Sequence, residues 1–301
     1  MVNVYERVAI NKRNSFVVVA CFFAFITAAI YLIARAAGYG LDAVAIALII
    51  SGLSSLGGYY FSDSIVLSLS GAKPASKKAH FHFYTVAENL AMAAKLPMPK
   101  LFIIEDTAMN AFATGRDPQH AVVVATTGLL SRLNRTQLEG VIAHELSHVQ
   151  NYDIRLMSVV SVLVGLVALL SDWFLRFGLR SSHSSDDDRN SGQLQVLLLI
   201  LGVIMAMLAP FVAQLIQLAI SRKREFLADA SGAKLTRYPE GLAQALEIIS
   251  ADKEPLEAAN KATAHLYFSD PLRNRHDAVG WFASLFNTHP PVAERIKALR
   301  A

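Results

Sequence analysis

Cysteine is nearly missing from this chain: Cys21 is the only one among 301 residues. A single thiol rules out an intramolecular disulfide and a thiolate zinc cluster, so a metal site here must be built from histidine and carboxylate. Charge is scarce as well, at 17% of residues against 53% hydrophobic, more apolar side chain than a soluble domain of this length normally buries. The basic excess is small, a formal net charge of +4, and its lysines and arginines gather at the ends of apolar runs rather than along one stripe. That placement fits anchoring at a lipid bilayer and implies no nucleic-acid partner. No internal repeat and no long low-complexity segment is present.

What the chain has instead is four long apolar runs, and about 20 such residues cross a bilayer as a helix. The first extends from Phe16 to about Ala34, behind Asn11, Lys12, Arg13 and Asn14. It reads as an uncleaved anchor or as a signal sequence, with Ala34-Arg35-Ala36 around a cleavage point. Its length beyond the roughly 7 to 15 residues of a usual signal core, and the second run close behind it, favour the anchor. The second run, about Leu41 to Leu69, is diluted by Ser51, Gly52, Ser54, Ser55, Gly57 and Gly58, small residues suited to close helix packing in lipid; the two are expected to form a hairpin. The third, about Met157 to Leu170, and the fourth, about Leu194 to Ile220, are either a second spanning pair or buried helices of the folded domain. Lys12 and Arg13, Lys73, Lys77 and Lys78, Arg155, and Arg222, Lys223 and Arg224 all fall on one side of a four-span arrangement. The positive-inside rule makes that side cytoplasmic, together with both termini.

Between the runs the sequence is ordinary globular chain. His80 to Lys95 reads as a helix ended by Pro97 and Pro99. Leu101-Phe102-Ile103-Ile104 and Ala121-Val122-Val123-Val124-Ala125 read as strands, with Asn110-Ala111-Phe112-Ala113-Thr114-Gly115 between them. Gly128 to Arg132 suggests a short helix. Thr136-Gln137-Leu138-Glu139 has capping-box order and opens a helix running through His148. Further helices are expected over Arg222 to Ala233, Pro239 to Ser250 and Val292 to Arg300, the last behind the break Thr288-His289-Pro290-Pro291.

His144-Glu145-Leu146-Ser147-His148 on such a helix has a specific geometry. Residues four apart lie roughly 5 to 6 Å from each other on one face, so both imidazoles reach one ion. Glu145 beside them can take a proton from an attacking water and pass it to a leaving amine. A catalytic zinc site needs a third protein ligand and one open position. A nearby third histidine is excluded, because Asn151 and Ile154 occupy the places it and its glycine would need. A glutamate on a second helix is the other common answer, and Glu225 in Ser221-Arg222-Lys223-Arg224-Glu225-Phe226-Leu227-Ala228-Asp229 fits it. Asp229, one turn on, can accept the free N–H of His144. The plainer readings are a structural histidine pair and a solvated acid in a charged run.

These residues, with Asp153 after the histidine pair and Ser221-Arg222-x-x-Glu225-x-x-Ala228-Asp229, closely resemble the HtpX-type membrane metalloproteases, gluzincins related to the CaaX prenyl proteases. The likeness extends over nearly the whole chain, through the paired N-terminal runs, Asn110 to Gly115, Thr126-Thr127-Gly128-Leu129-Leu130 and Thr288-His289-Pro290-Pro291. It implies one Zn2+ per chain held by His144, His148 and Glu225, Glu145 as catalytic base, and endoproteolysis in membrane-protein quality control at a bacterial inner membrane. It also implies that Asn110, Ala111, Phe112 and Ala113 form an edge strand on which an extended peptide substrate pairs; the alternative is a plain hairpin connection. His289 either donates to an oxyanion or caps local structure, and Asp153 either orients His148 or caps a helix.

The expectation is therefore a mainly α chain with a small β-sheet, a polytopic helical membrane protein carrying a gluzincin-type α+β metallopeptidase domain. Residues 1–72 would form an N-terminal transmembrane hairpin and 73–155 the first half of a cytoplasmic peptidase domain. A second hydrophobic hairpin follows over 156–220, and 221–301 complete the domain with the third ligand. Polypeptides, membrane proteins among them, are the expected substrates and the bilayer the other partner. Polar Gln137, Glu139, Gln150 and Asn151 place the site beside the membrane rather than within it. The rival reading is a non-enzymatic membrane chaperone or scaffold with a structural zinc.

Overall fold

Alternation along the β-branched runs decides which side of the sheet each residue covers. The computed structural model describes residues 4–36, 42–163, 165, 222–252, 254–259, 263–269, 271 and 290–301. In chain order these form α1 (Val4–Ala36), α2 (Asp42–Tyr60), α3 (Ser62–Leu69), β1 (Lys73–Pro74), α4 (Phe81–Ala93), β2 (Lys100–Ile104), β3 (Ala111–Thr114), β4 (Val122–Thr126), α5 (Thr127–Arg132) and α6 (Arg135–Gln150). Helical residues 153–163 (α7), α8 (Arg222–Thr236), α9 (Pro239–Ala251) and α10 (Val292–Leu299) complete the described elements used below. The architecture is mainly helical around one small mixed sheet of order β1-β2-β4-β3. β2 and β4 are parallel, Phe102 opposite Val124, while β1 and β3 run antiparallel to their neighbours.

On one face of the sheet Leu101, Ile103, Ala111, Ala113, Val123 and Ala125 pack against the apolar sides of α4, α6 and α9. On the other, Ile104, Phe112, Val122 and Val124 pack against Leu156, Val160 and Leu163 of α7 and against Leu256, Leu266 and Tyr267. Both faces are covered, which is why Val122-Val123-Val124-Ala125 shows no polar alternation. The helix after β4 starts on a Thr126 cap accepting from the Leu129 N–H.

The capping box of α6 is Asn134 with Gln137, not Thr136 with Glu139: Asn134 Oδ1 accepts from the Gln137 N–H, and Gln137 Oε1 accepts from the Asn134 N–H. Asparagine is the stronger N-cap, so the helix opens two residues earlier. Edge strand β3 lies beside β4 with Ala113 opposite Val123, so Ala111 to Thr114 are strand rather than a plain turn.

α1 and α2 pack as a hairpin, with Thr27 Oγ1 2.7 Å from Ser51 Oγ. A methyl group built on Gly58 would meet Val162 of α7 at 3.3 Å, so the absent side chain brings α2 close to α7. Among the described residues no helix is long and apolar enough to cross a membrane. The first apolar run falls within the 33 residues of α1, where side chains at many positions from 22 onward lie outside the description. Met157, Val159, Val160 and Leu163 of the third run are buried in the second core cluster; its remainder after residue 165, and the whole of the fourth run, lie outside the described residues.

Candidate active site

Four-residue spacing on α6 sets the His144 and His148 rings 4.8 Å apart between centroids, nearly perpendicular. Their Nε2 atoms approach to 3.2 Å. α8 crosses α6 where Gly232 meets it, and a methyl group there would lie 3.0 Å from the His144 nitrogen. That close approach lets Glu225, two turns earlier on α8, present its carboxylate oxygens 3.8 Å from His144 Nε2 and 3.6 Å from His148 Nε2. Tetrahedral coordination with bonds of about 2.0 to 2.2 Å separates ligand atoms by roughly 3.3 to 3.6 Å. The two Nε2 atoms are 3.2 Å apart, Glu225 sets one carboxylate oxygen near each of them, and taking one atom per residue the three donors lie within 4.8 Å of one another, a triangle close to three corners of such a site. Among the described residues this is the group of histidine and carboxylate side chains able to hold a metal ion.

The outward ring nitrogens explain why both Nε2 lone pairs converge. His144 Nδ1 lies 2.9 Å from Asp229 Oδ1, and His148 Nδ1 lies 3.1 Å from Asp153 Oδ2. Each Nδ1–H donates to its carboxylate, which fixes the tautomer and leaves Nε2 as the acceptor turned toward Glu225. Tyr152, held at φ 59 in the turn between α6 and α7, precedes Asp153, whose carboxylate meets His148. The imidazoles are pushed in opposite directions. Burial, joined by the Arg295 and His148 charges, brings His144 down to about 4 against the pull of Asp229. Burial opposes protonation of His148 too, but the Asp153 hydrogen bond and the charges of Glu225, Asp153 and Glu145 raise it to about 9.

Glu145 is buried beside the pair. Burial first, and Glu225 second, push its carboxyl up to about 7, opposed by His148, Arg295 and the Ala113 backbone N–H. A carboxylate poised there can accept and return a proton near neutral pH.

Arg295 of α10 was not apparent from the motif, yet it reaches the centre. Its Nε and Nη2 donate to Asp229 at 2.8 and 2.7 Å, a two-pronged pairing that holds Asp229 below the ordinary carboxylate range against the cost of burial. Nη1 lies 3.8 Å from Glu225. Its 3.4 Å approach to His144 Nδ1 sets donor against donor, since that nitrogen already gives its proton to Asp229. The legible signal is an arginine on the stripe Val292, Arg295, Ile296, Leu299, three apolar positions at helical spacing with one cation among them.

Residues 267–269 run along the outer edge of β3. The Phe268 N–H donates to the Ala111 carbonyl at 2.8 Å, and Asn110 clamps Ser269, giving Nδ2–H to its carbonyl at 3.0 Å and accepting its N–H at 3.2 Å. The Phe268 ring meets the edge of His144 at 5.0 Å and carries the Arg295 guanidinium at 4.8 Å, while Tyr267 stacks edge-on against Phe112. Asn110, Ala111, Phe112 and Ala113 are all buried. Of the expected site residues, His144, Glu145, His148, Asp153, Glu225 and Asp229 come together; His289 lies outside the described residues.

Residues 81–301 match peptidase family M48. Over nearly its full length the chain is similar to proteins named Protease HtpX homolog. It is 43% identical to the one from Dictyoglomus turgidum over 296 residues, covering 98% of this chain and 94% of that one. It is 41% identical to that of Thermoanaerobacter pseudethanolicus, covering 99% and 97%, and 40% identical to that of Streptococcus gordonii, covering 98% and 99%. The crystal structure of S. mikatae Ste24p aligns at a TM-score of 0.49 and 20% identity, over 97% of this chain and 66% of that one. With the paired imidazoles, the facing carboxylate and the buried Glu145 in place, the chain belongs to peptidase family M48 and is a metalloprotease.

Proposed function

We propose that this protein is a zinc-dependent endopeptidase of a bacterial inner membrane that cleaves misfolded or misassembled membrane proteins at the cytoplasmic face. The observation that carries the catalytic part is the convergence of His144 Nε2, His148 Nε2 and the Glu225 carboxylate, with Glu145 beside them. Two imidazoles and one carboxylate suit zinc, and three ligands leave a fourth position open, as a catalytic rather than a structural site requires. Zinc bound there supplies a Lewis acid that polarises the scissile carbonyl and acidifies water. Glu145 takes the proton of the attacking water and delivers it to the leaving nitrogen. Asp229 and Asp153 hold the two imidazoles in orientation, and burial of the whole group keeps bulk water from competing for Glu145.

An extended peptide would pair with β3. On its open side the Ala111 carbonyl accepts from the Phe268 N–H, so substrate must displace Phe268 from Ala111. Membrane attachment is supported by the apolar runs and by the outer surface of the α1/α2 hairpin, where Phe16 and Leu53 are 73% and 67% exposed beside Ile49, Ile50, Leu56 and Phe61. An apolar surface of that extent calls for a cover, and lipid is the one the sequence fits. On this reading residues 1–72 and 156–220 supply the two membrane hairpins, the first turns of the second, Leu156 to Leu163, packing under the sheet, and 73–155 with 221–301 form the peptidase domain.

The test compares detergent-purified, zinc-loaded wild type with Glu145→Gln on a labelled unfolded polypeptide. The variant should keep one zinc per chain and lose cleavage by about 10²- to 10⁴-fold. Equal cleavage by both proteins would refute the assignment of Glu145, while loss of zinc from a Glu225→Ala protein checks the third ligand. A label beside Glu225 reached only from outside the cell would overturn the cytoplasmic placement.

A further inference from the structure

The N-terminal helix reaches into the metal centre. Asn11 of α1 is buried, and its side-chain amide donates twice. One N–H goes to the carbonyl of Asn151, the residue that closes α6, at 2.8 Å. The other goes to Asp153 Oδ1 at 2.7 Å. The second oxygen of the same carboxylate faces His148 Nδ1 at 3.1 Å. Asn11 is 142 residues from Asp153 and lies ahead of the segment matched to family M48.

The amide orientation follows from its neighbours. Both sites facing Asn11 Nδ2 are acceptors, a carbonyl and a carboxylate oxygen, so only the NH2 group fits there. Arg224 also faces Asp153 Oδ1, through Nη1 at 3.5 Å, and is the weaker positional constraint at that distance. The chain between the two acceptors contains Tyr152 in the left-handed region, a conformation that tyrosine adopts at a cost. Asn11 therefore ties together both ends of a strained turn whose function is to return Asp153 to His148. Lys12, next along α1, places its ammonium 4.4 Å from the centre of the Tyr152 ring. It docks the same helix on the same turn without touching Asp153.

We propose that Asn11 is a positioning residue of the active site: by holding the Asn151–Asp153 turn it orients Asp153 on His148, so that the metal-binding geometry is completed by the N-terminal helix. This rests on the reading of His144, His148 and Glu225 as the zinc ligands. Partners that orient a zinc-binding histidine typically contribute about 10- to 100-fold to metal affinity, and Asn11 acts one step further out. Asn11→Ala is expected to weaken zinc binding about 5- to 10-fold.

The experiment measures zinc affinity by chelator competition, and the visible spectrum of the cobalt-substituted protein, on the full chain in detergent. The proteins are wild type, Asn11→Ala, Lys12→Gln, Asp153→Asn and the Asn11→Ala/Asp153→Asn double variant. Asn11→Ala should bind zinc more weakly and shift the cobalt bands, Lys12→Gln should match wild type within twofold, and the double variant should lose no more affinity than Asp153→Asn alone, because both changes remove one linkage. Wild-type affinity and an unshifted cobalt spectrum in Asn11→Ala would overturn the proposal. So would equal weakening by Lys12→Gln, which would make α1 a docking element only, or additive losses in the double variant. If Asn11→Ala does not fold, Asn11→Ser is read in its place on the same criteria. A wild-type protein that binds no zinc overturns the ligand assignment, and this proposal with it.

Discussion

Replacing Arg295 with methionine tests whether the C-terminal helix is part of the centre or a cover over it. The guanidinium is 1% exposed and makes two charge-assisted hydrogen bonds to a carboxylate that is itself 2% exposed. Methionine roughly fills the volume, so little of the loss is cavity. What remains is Asp229 as a buried charge with His144 Nδ1–H as its nearest donor. Breaking one side of a buried pair costs about 3 to 5 kcal/mol, and for 301 residues about 1.6 °C of thermal stability goes with each kcal/mol. Arg295→Met should therefore unfold about 5 to 8 °C earlier, measured without metal so that zinc binding does not contribute. Arg295→Met/Asp229→Asn removes both charges, while the asparagine oxygen still accepts from His144 Nδ1–H. It should recover at least half of the loss, since an uncharged replacement of a buried pair is often near neutral. A single variant within about 1 kcal/mol of wild type, or a double variant bearing the sum of two independent losses, would refute this account.

Two further outcomes follow from the same geometry. His148, raised to about 9 by Asp153, Glu225 and Glu145 against burial, carries a proton at pH 7 that zinc must expel. Zinc affinity should therefore climb with pH, by up to about tenfold per unit, and level off above about 9; titration in buffers of differing ionisation enthalpy should show about one proton released at pH 7. Release of none would contradict the paired-imidazole picture. Gly232→Ala places a methyl group 3.0 Å from the His144 nitrogen and 3.3 Å from the Ala143 carbonyl carbon. Backbone cannot step aside as a side chain can, so α8 must move and carry Glu225 with it. A stability loss of about 1 to 3 kcal/mol should come with weaker zinc binding, and unchanged zinc affinity would show that Glu225 is placed independently of this contact.

What could be read from the sequence was what local spacing encodes. The i,i+4 histidines, the carboxylate four residues after Glu225 and the β-branched strands each follow from short-range periodicity, and the structure places them as that periodicity requires. Boundaries were less legible where two local signals competed. Thr136-x-x-Glu139 and Asn134-x-x-Gln137 both have capping order, and the stronger asparagine cap starts the helix. The third apolar run looked uniform, yet Met157 to Leu163 serve as core under the sheet, because an apolar stretch gives no sign of whether protein or lipid will cover it.

The residues that escaped the sequence reading share one property: their partners are far away along the chain. Arg295 is 66 residues from Asp229 and Asn11 is 142 from Asp153. Each is a polar group whose local context gives it another plausible role, a helix cation and a span-end flank. The arrangement has a physical reason. Two histidines on one helix supply only two corners, and each needs an outer partner to fix its tautomer. A carboxylate brought inside for that purpose needs donors of its own, or its burial costs more than the ordering gains. Asp229 obtains them from the C-terminal helix, and Asp153 from the N-terminal one. The helices carrying Arg295 and Asn11 thereby supply the hydrogen bonds that offset the burial of the two carboxylates behind the histidine pair.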